Sequence, residues 1–296
     1  MTQALQQGNV VRAAAWMLLG VFGGLCLDLC AKELLRTYSL NQFVLLRSSI
    51  GCGILLAIAP RFGGFAALRT DEPWWHVLRT LLAIGAMFGF FYGLSEMPLV
   101  NALTLGYTAP LIVTALSALL LGDAVGWRRW SAVIAGFIGV LVMLRPDRST
   151  LTLAEIAVLI AAFCYACQAI TSRRLSACET TLALSFYVIL GPLIVSGASI
   201  NAGNWLMPDL RGWILMFTAA AGSVVAWIGF INGYRAVSPA TLAPLEYIAL
   251  VLGAFAGYAF WNEVPDGWVV VGAAIIVASG ILVVYRGEAG KEKAGI

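Results

Sequence analysis

The residues of this chain that could do chemistry are charged and aromatic side chains placed inside long apolar segments. Arg47 lies about seven residues into one such segment, roughly 10 Å deep at 1.5 Å per residue. Glu246 lies about as deep in another. A charge at the centre of a bilayer costs at least ~2.5–3.5 kcal/mol on insertion scales. Charges held at that depth pair with one another or mark the path of a solute.

Glu246 is the strongest of these candidates for a function. Its sequence neighbours three and four residues away carry no positive charge. A carboxyl in that setting could accept a proton near neutral pH, which a proton-coupled site requires. The alternative is a carboxyl that forms a hydrogen bond with a neighbouring helix.

Arg47 also has two interpretations. Its planar guanidinium would hold a carboxylate or a phosphate, or it would pair with Asp28, which lies at a similar depth in the first apolar segment. Asp28 has Lys32 four residues further on, so a local ion pair would account for it. The sequence leaves these alternatives open.

Tyr107 and Tyr247 are the aromatic candidates. Each lies three residues from a proline inside an apolar segment, Pro110 and Pro244 respectively. A proline interrupts the backbone hydrogen bonds of a helix, and the freed carbonyls can line a cavity. A phenol there could stack on a flat solute and donate one hydrogen bond, or it could pack between helices. Further candidates for substrate binding are Tyr92, Asn232, Trp16, Tyr165, Gln168 and Trp227.

Other chemistries lack the residues they need. Cys164 and Cys167 have the spacing of a redox or metal-binding pair, but thiols in the middle of an apolar helix stay protonated and inert. His76 is the single histidine of the sequence, which excludes a histidine-based metal cluster. A phosphate-binding glycine loop is not found in the sequence. We therefore expect no catalytic residue, no metal site and no cofactor.

The composition predicts an all-α polytopic membrane protein. Of the 296 residues, 61% are hydrophobic and 11% are charged, with a mean hydropathy of +0.90, whereas soluble domains contain about 25% charged residues. The net charge of +3 offers no basic patch for nucleic acid. Ten apolar runs are long enough to cross about 30 Å of hydrocarbon. They cover residues 12–31, 40–60, 76–97, 100–121, 129–145, 152–171, 181–200, 211–234, 240–260 and 267–286.

The chain contains an internal repeat. Residues 89–123 recur at residues 229–263 without a gap, with six identities and the same helix boundaries. This indicates two related halves, residues 1–147 and 148–296, with five transmembrane helices each. Because five is odd, the second half must be inserted upside down relative to the first.

The positive charges predict the orientation in the membrane. Of the 18 lysines and arginines, twelve fall on the side of the N-terminus, five on the opposite side, and Arg47 inside a span. Cytoplasmic loops carry the excess of such residues. We therefore expect both termini in the cytoplasm and a location in the cytoplasmic (inner or plasma) membrane.

Short motifs in both halves carry a family resemblance. Tyr-Thr-Ala-Pro at 107–110 is followed by Leu-Gly-Asp at 121–123, and Pro-Leu-Glu at 244–246 by Asn-Glu at 262–263. With Arg47 in the second helix, these segments resemble the EamA-type transporters of the drug/metabolite transporter superfamily. The chain departs from that family's usual Gly-Glu at Asp123 and Asn262. The resemblance implies ten helices in two inverted bundles, around a central cavity for a small metabolite.

Inverted repeats of this kind are typical of secondary carriers, in which each side of the site opens in turn. We expect a carrier, not an enzyme, that moves a small polar or zwitterionic metabolite, such as an amino acid or S-adenosylmethionine, by alternating access. The alternatives are a membrane-embedded enzyme acting on a lipid or acyl substrate, and an exporter of cationic amphiphilic drugs. One chain contains both halves, so a monomer suffices, although glycine-lined faces could also form a dimer.

Overall fold

The computed structural model describes residues 2–120, 127–144, 151–175, 178–200, 203, 205–236 and 245–293. Within these ranges there are α-helices and no β-strand. The helices are α1 (Thr2–Leu34), α2 (Leu40–Ile58), α3 (Pro73–Glu96), α4 (Leu99–Gly106), α5 (Ala109–Leu120), α6 (Trp127–Leu144), α7 (Leu153–Leu175), α8 (Thr181–Ala198), α9 (Leu210–Ala236), α10 (Ile248–Trp261) and α11 (Gly267–Lys293). Two short 3₁₀ helices, Ala59–Phe62 and Phe65–Leu68, follow α2.

Most of these helices are built to lie in a membrane. Seven helical segments are long and apolar enough to span it, the fourth of them made by α4 and α5 together: Val11–Leu34, Leu40–Arg61, Pro73–Glu96, Leu99–Leu116, Leu153–Ser172, Thr181–Ala198 and Leu210–Gly233. Three further apolar helices are shorter: Trp130–Leu144, Ile248–Trp261 and Gly267–Ser279. Large apolar side chains such as Phe22, Phe217 and Phe255 are exposed on the outside, where lipid would cover them. The chain is a multi-pass, all-helical membrane protein.

Side-chain caps fix the start of several helices. Ser39 and Thr180 each accept a hydrogen bond from the backbone N–H three residues later, at 3.3 and 3.0 Å, and begin α2 and α8. Before α7, Glu155 accepts from the N–H of Thr152 at 2.8 Å, and the Thr152 hydroxyl accepts from the N–H of Glu155 at 3.2 Å. This reciprocal pair is a capping box.

The run predicted as one helix over residues 100–121 is broken in the structure. A turn at Tyr107 and Thr108 separates α4 from α5. Pro110 is the second residue of α5, a position that tolerates a missing N–H. The Thr108 hydroxyl donates to the carbonyl of Leu105 at 2.8 Å and stabilises the turn. The break lies close to the proline, as expected, and it places Tyr107 at a helix end.

A short turn at Met97-Pro98 joins α3 to α4. Its counterpart at Ser238-Pro239 lies outside the described residues, as do Asp123 and Pro244. Of the run predicted over 240–260, the structure describes the part from residue 245 onward.

Close helix crossings join the first half of the chain to the second. Helix α1 packs along α9, α3 along α7, and α6 along α11. A Cβ atom on Gly89 would lie 2.6 Å from the carbonyl oxygen of Ala157, and one on Gly229 would lie 2.6 Å from that of Trp16. These glycines therefore let the helix backbones touch. Helix α4 packs against α10.

Candidate functional site

Two tyrosines meet where α4 packs against α10. Tyr107 is the C-cap residue of α4, and Tyr247 is the N-cap residue of α10. Their ring centroids are 5.6 Å apart, and the ring planes are tilted by 47°, within the range of favourable aromatic pairs. The structure thus brings together two residues that the sequence singled out 140 positions apart.

Carboxylates lie beside this aromatic pair. Glu246 is 7% exposed and lies near Tyr107, Tyr165 and Tyr247. Asp28 on α1 is within electrostatic reach of Tyr107 as well. We call Asp28, Tyr107, Tyr165, Glu246 and Tyr247 the central cluster. Four elements supply it: α1, the end of α4, α7 and the start of α10.

Buried polar atoms of Tyr247 and Gln168 have no hydrogen-bond partner among the described residues. They are the hydroxyl of Tyr247 and Nε2 of Gln168, whose residues are 3% and 2% exposed. Gln168 follows Tyr165 by one turn on α7. An unpaired buried polar group costs free energy. Both groups are therefore suited to binding a solute that satisfies them.

Arg47 on α2 is fully buried, and its contacts are with uncharged groups. Its Nη1 donates to the hydroxyl of Ser223 on α9 at 2.7 Å, and its Nη2 donates to Ser48 at 3.3 Å and to the sulfur of Met87 at 3.0 Å. Asp28 interacts with it electrostatically. Within the described ranges, however, no carboxylate lies at ion-pair distance from Arg47. The guanidinium can therefore still take an anionic group.

The local ion pair considered for Asp28 and Lys32 is not formed. The Lys32 ammonium lies 3.1 Å from Glu263 instead, and it donates to the carbonyls of Leu94, at 3.3 Å, and Met97. The Glu263 carboxylate and two carbonyl oxygens give the ammonium three acceptors, whereas Asp28 on the same helix would give it only one carboxylate. Asp28 is thus left to the central cluster.

Four candidates lie apart from the central cluster. Tyr92 lines a cavity of about 310 Å³ between the end of α3 and the start of α7. Asn232 donates to the carbonyl of Ile228 at 2.9 Å near the end of α9. Trp227 packs in an apolar group between α2, α8 and α9. Trp16 lies on α1, where it crosses α9.

The sequence does not predict which polar residues bind Arg47. Ser48 and Ser223 are serines in apolar helices, where small residues usually serve close packing. The bond between Arg47 and Ser223 joins positions 176 residues apart. Only the packing of α2 against α9 reveals it.

The central cluster and Arg47 offer complementary groups for a polar solute. Two carboxylates suit an ammonium or another cation, and tyrosine rings suit a flat group or a cation over the ring face. Arg47 suits a carboxylate. Groups of three or more His, Cys, Asp or Glu side chains that could hold a metal ion are not found in the part of the chain that the structure describes.

Several transporters are similar to this chain along most of its length. The S-adenosylmethionine uptake transporter of Rickettsia bellii (strain RML369-C) is 28% identical over 274 residues, 91% of this chain and 92% of that protein. The riboflavin transporter of Vibrio cholerae is 28% identical over 274 residues, 91% of each chain. The pseudopaline exporter CntI of Pseudomonas aeruginosa is 27% identical over 252 residues, 84% of this chain and 87% of that one.

Two further comparisons concern the fold and the family. A crystal structure of another protein superimposes with a TM-score of 0.69, at 19% identity, over 90% of this chain and 96% of that chain; at this identity the likeness shows the fold alone. The EamA-like transporter family matches residues 11–145 and again residues 152–285. These matches confirm the resemblance found in the sequence: the chain belongs to the EamA-like transporter family and is a metabolite carrier, not an enzyme.

Proposed function

We propose that the chain is a secondary carrier that binds a zwitterionic metabolite at the central cluster and moves it by alternating access. The observation that carries this proposal is the contact of Tyr107 with Tyr247 beside two carboxylates. The two tyrosines occupy matching positions of the sequence repeat. A solute bound between them would touch both halves, as the midplane site of a carrier with inverted repeats does.

The proposal includes two inverted repeats, residues 1–147 and 148–296, and ten membrane crossings. The seven long spans and three shorter apolar helices of the described residues support this number of crossings. The family match, which occurs once over most of each half, supports the same division. In an inverted arrangement, contacts made by one half should recur with the roles of the halves exchanged.

Such an exchange is visible in the helix crossings. Gly89 on α3 lies against Ala161 on α7, and Gly229 on α9 lies against Gly20 on α1. Gly89 and Gly229 are 140 positions apart, and Gly20 and Ala161 are 141 apart. The crossing of α3 with α7 therefore has its equivalent in the crossing of α9 with α1. This equivalence supports a two-fold relation between the halves.

The site residues have different roles in this proposal. Glu246 and Asp28 face the cationic part of the solute, and the three tyrosines of the central cluster contact its flat part. Arg47 and Gln168 bind its carboxylate. Tyr92 lines the approach to the site. The remaining candidates, Trp16, Asn232 and Trp227, act by packing the helices that carry the site.

S-adenosylmethionine is the solute whose groups match these roles best. It combines an adenine ring, a sulfonium cation and an α-amino acid group, which correspond to the tyrosines, the carboxylates and Arg47. It is also the solute named for the Rickettsia relative. Riboflavin, named for another relative, offers a flat ring without a fixed cation. The two carboxylates therefore favour the cationic solute.

We also propose that the carrier lies in the cytoplasmic membrane with both termini in the cytoplasm. The excess of lysines and arginines on the side of the N-terminus supports this orientation. One chain supplies both halves of the site, so a monomer is sufficient for transport.

Counterflow in proteoliposomes tests the proposed function. Wild type, Glu246→Gln and Glu33→Gln would be compared with labelled S-adenosylmethionine, amino acids, riboflavin and a cationic dye. Glu33 is the matched control, because its carboxylate pairs with Arg211 at 2.9 Å away from the central cluster. We expect saturable counterflow of S-adenosylmethionine in all three proteins. If the wild type responds to a pH gradient, that response should be lost in Glu246→Gln alone; a wild type without a response would be an uncoupled facilitator.

Three results would contradict parts of this proposal. A folded wild-type protein without counterflow of any solute would overturn the carrier mechanism. Counterflow of the dye alone would favour drug export. A pH response that persists in Glu246→Gln would remove this residue from proton coupling.

A further inference from the structure

A partly buried ion pair joins the two halves at the end of the bundle where α1 finishes. Lys32 on α1 lies 3.1 Å from Glu263, which follows α10. The two side chains are 11% and 19% exposed. Water and salt screen such a pair less than they screen an exposed one, so this contact holds the helix ends together more firmly than a surface ion pair would.

Glu263 also caps a helix of the other half. Its second carboxylate oxygen accepts a hydrogen bond from the backbone N–H of Leu99, the first residue of α4, at 2.8 Å. The preceding residue, Pro98, makes no side-chain cap. A carboxylate at a helix N-terminus is stabilising, because it satisfies an N–H group and faces the positive end of the helix dipole. Helix α4 thus depends on α10 for its cap.

Lys32 also binds the end of a third helix, α3. Its ammonium donates to the carbonyl oxygens of Leu94, at 3.3 Å, and Met97 at the end of α3. Together with Glu263, it forms what we call the latch: Lys32, Glu263 and the backbone groups that they bind. The latch therefore connects the ends of α1, α3, α4 and α10 at one point.

Three of these four helices also carry residues of the central cluster. Asp28 precedes Lys32 by one turn on α1, and Tyr247 is the N-cap residue of α10, the helix that Glu263 follows. Tyr107 is the C-cap residue of α4, whose eight residues extend about 12 Å at 1.5 Å per residue. Because a short helix moves as a rigid unit, displacement of the start of α4 would displace Tyr107.

We propose that Lys32 and Glu263 are positioning residues that hold Tyr107 against Tyr247, and that their separation opens the central cluster at this end of the bundle. This inference rests on the proposed function, because only a carrier needs the site to open there. Separation leaves the N-terminus of α4 without the Glu263 cap and lets α4 move relative to α10. Closure at this end and the geometry of the binding site are thereby coupled.

Distance measurements by electron paramagnetic resonance test the latch without knowledge of the substrate. Spin labels would be placed at Thr37→Cys and Val264→Cys, two exposed positions that follow α1 and α10, in a protein whose six native cysteines are replaced. The test variants are Glu263→Gln, which keeps an acceptor for the Leu99 N–H but removes the charge, and Lys32→Met. Arg211→Gln is the matched control, because it removes an ion pair with Glu33 at the same end whose side chains are 74% and 28% exposed.

We expect a longer distance between the labels to gain population in both test variants. The increase should be on the order of tenfold, given the usual contribution of a charged hydrogen bond. The Arg211→Gln distribution should match wild type. S-adenosylmethionine should bind several-fold more weakly to the test variants, because Tyr107 is displaced.

Unchanged distances in folded Glu263→Gln or in folded Lys32→Met would overturn the latch. The two variants remove the same ion pair from opposite partners, so the test stands if one of them fails to fold. An equal shift in Arg211→Gln would also contradict the proposal, since it would reflect general loosening of this end. Counterflow in the wild type distinguishes a failure of the carrier mechanism from a failure of the latch alone. If counterflow is absent, the carrier mechanism fails; if it is present and the distances stay fixed, only the latch fails.

Discussion

Lys32 and Arg47 differ in what surrounds them. Lys32 faces a carboxylate and two carbonyl oxygens, which satisfy its charge and its donors. Arg47 has two hydroxyls and a thioether, which leave its charge without a counter-ion in contact. A buried charge is costly unless it is paired. This difference supports a structural role for Lys32 and a binding role for Arg47.

The hydroxyl of Tyr247 provides a direct test of the central cluster. It has no hydrogen-bond partner among the described residues, so Tyr247→Phe removes an unsatisfied buried group and should leave the melting temperature unchanged or raise it. Binding of S-adenosylmethionine should weaken by about 2- to 10-fold, the usual effect of one neutral hydrogen bond. Thermal unfolding and equilibrium binding of the purified protein would measure the two effects.

Tyr187→Phe is the matched control for this substitution. The Tyr187 hydroxyl donates to the carbonyl of Leu68 at 3.0 Å, away from the central cluster. This variant should melt at a lower temperature and bind S-adenosylmethionine as wild type does. The opposite pattern, a destabilised Tyr247→Phe with unchanged affinity, would show that the Tyr247 hydroxyl is structural.

The helices of this protein are held together by close backbone contact, with glycines at the crossings. Lipid is as apolar as a leucine side chain, so apolar burial adds little to association within the bilayer, and tight packing has to supply it. At Gly229, the backbone of α1 occupies the space that a Cβ atom would need, with Gly20 and Trp16 each 2.6 Å away. At Gly53 on α2, no atom lies within 4 Å of that position among the described residues.

These two glycines should respond oppositely to the same substitution. Gly229→Ala should lower the free energy of unfolding by about 1–3 kcal/mol, because the helices must separate to admit the methyl group. Gly53→Ala should raise it by about 0.5–1 kcal/mol, because alanine has the higher helix propensity. Unfolding in mixed micelles would measure both. Equal effects of the two substitutions would contradict close packing at the crossing of α1 and α9.

The sequence predicts the elements better than the contacts between them. Apolar runs and the repeat predict the helices, and matching positions single out Tyr107 and Tyr247, because both signals are local or periodic. The partner of Lys32 is not predicted: the sequence offers Asp28, four residues away, as a possible partner, whereas the structure pairs Lys32 with Glu263. Pairing between residues far apart in the chain depends on which helix ends meet in the fold, and a single sequence does not predict which ends these are.

Polar contacts join the two halves at both ends of the bundle. At one end lies the latch. At the other, Glu179 accepts a hydrogen bond from Thr70 at 2.5 Å and lies 3.6 Å from the ring of His76, with both side chains buried. A carrier must open each end in turn. The contacts at the two ends would then break in different steps of transport, so that the binding site is never open to both sides of the membrane at once.

The orientation of the whole molecule can be tested with one native cysteine. Cys178 lies between α7 and α8 and is exposed, at the end of the bundle that we place in the cytoplasm. Thr37 lies between α1 and α2, at the end that we place outside. In intact cells, a membrane-impermeant maleimide should label Thr37→Cys in a Cys178→Ser background and should leave Cys178 of wild type unlabelled until the cells are permeabilised. The reverse pattern would invert the orientation, and labelling of both positions from the same side would contradict the odd number of crossings between them, on which the inverted repeat depends.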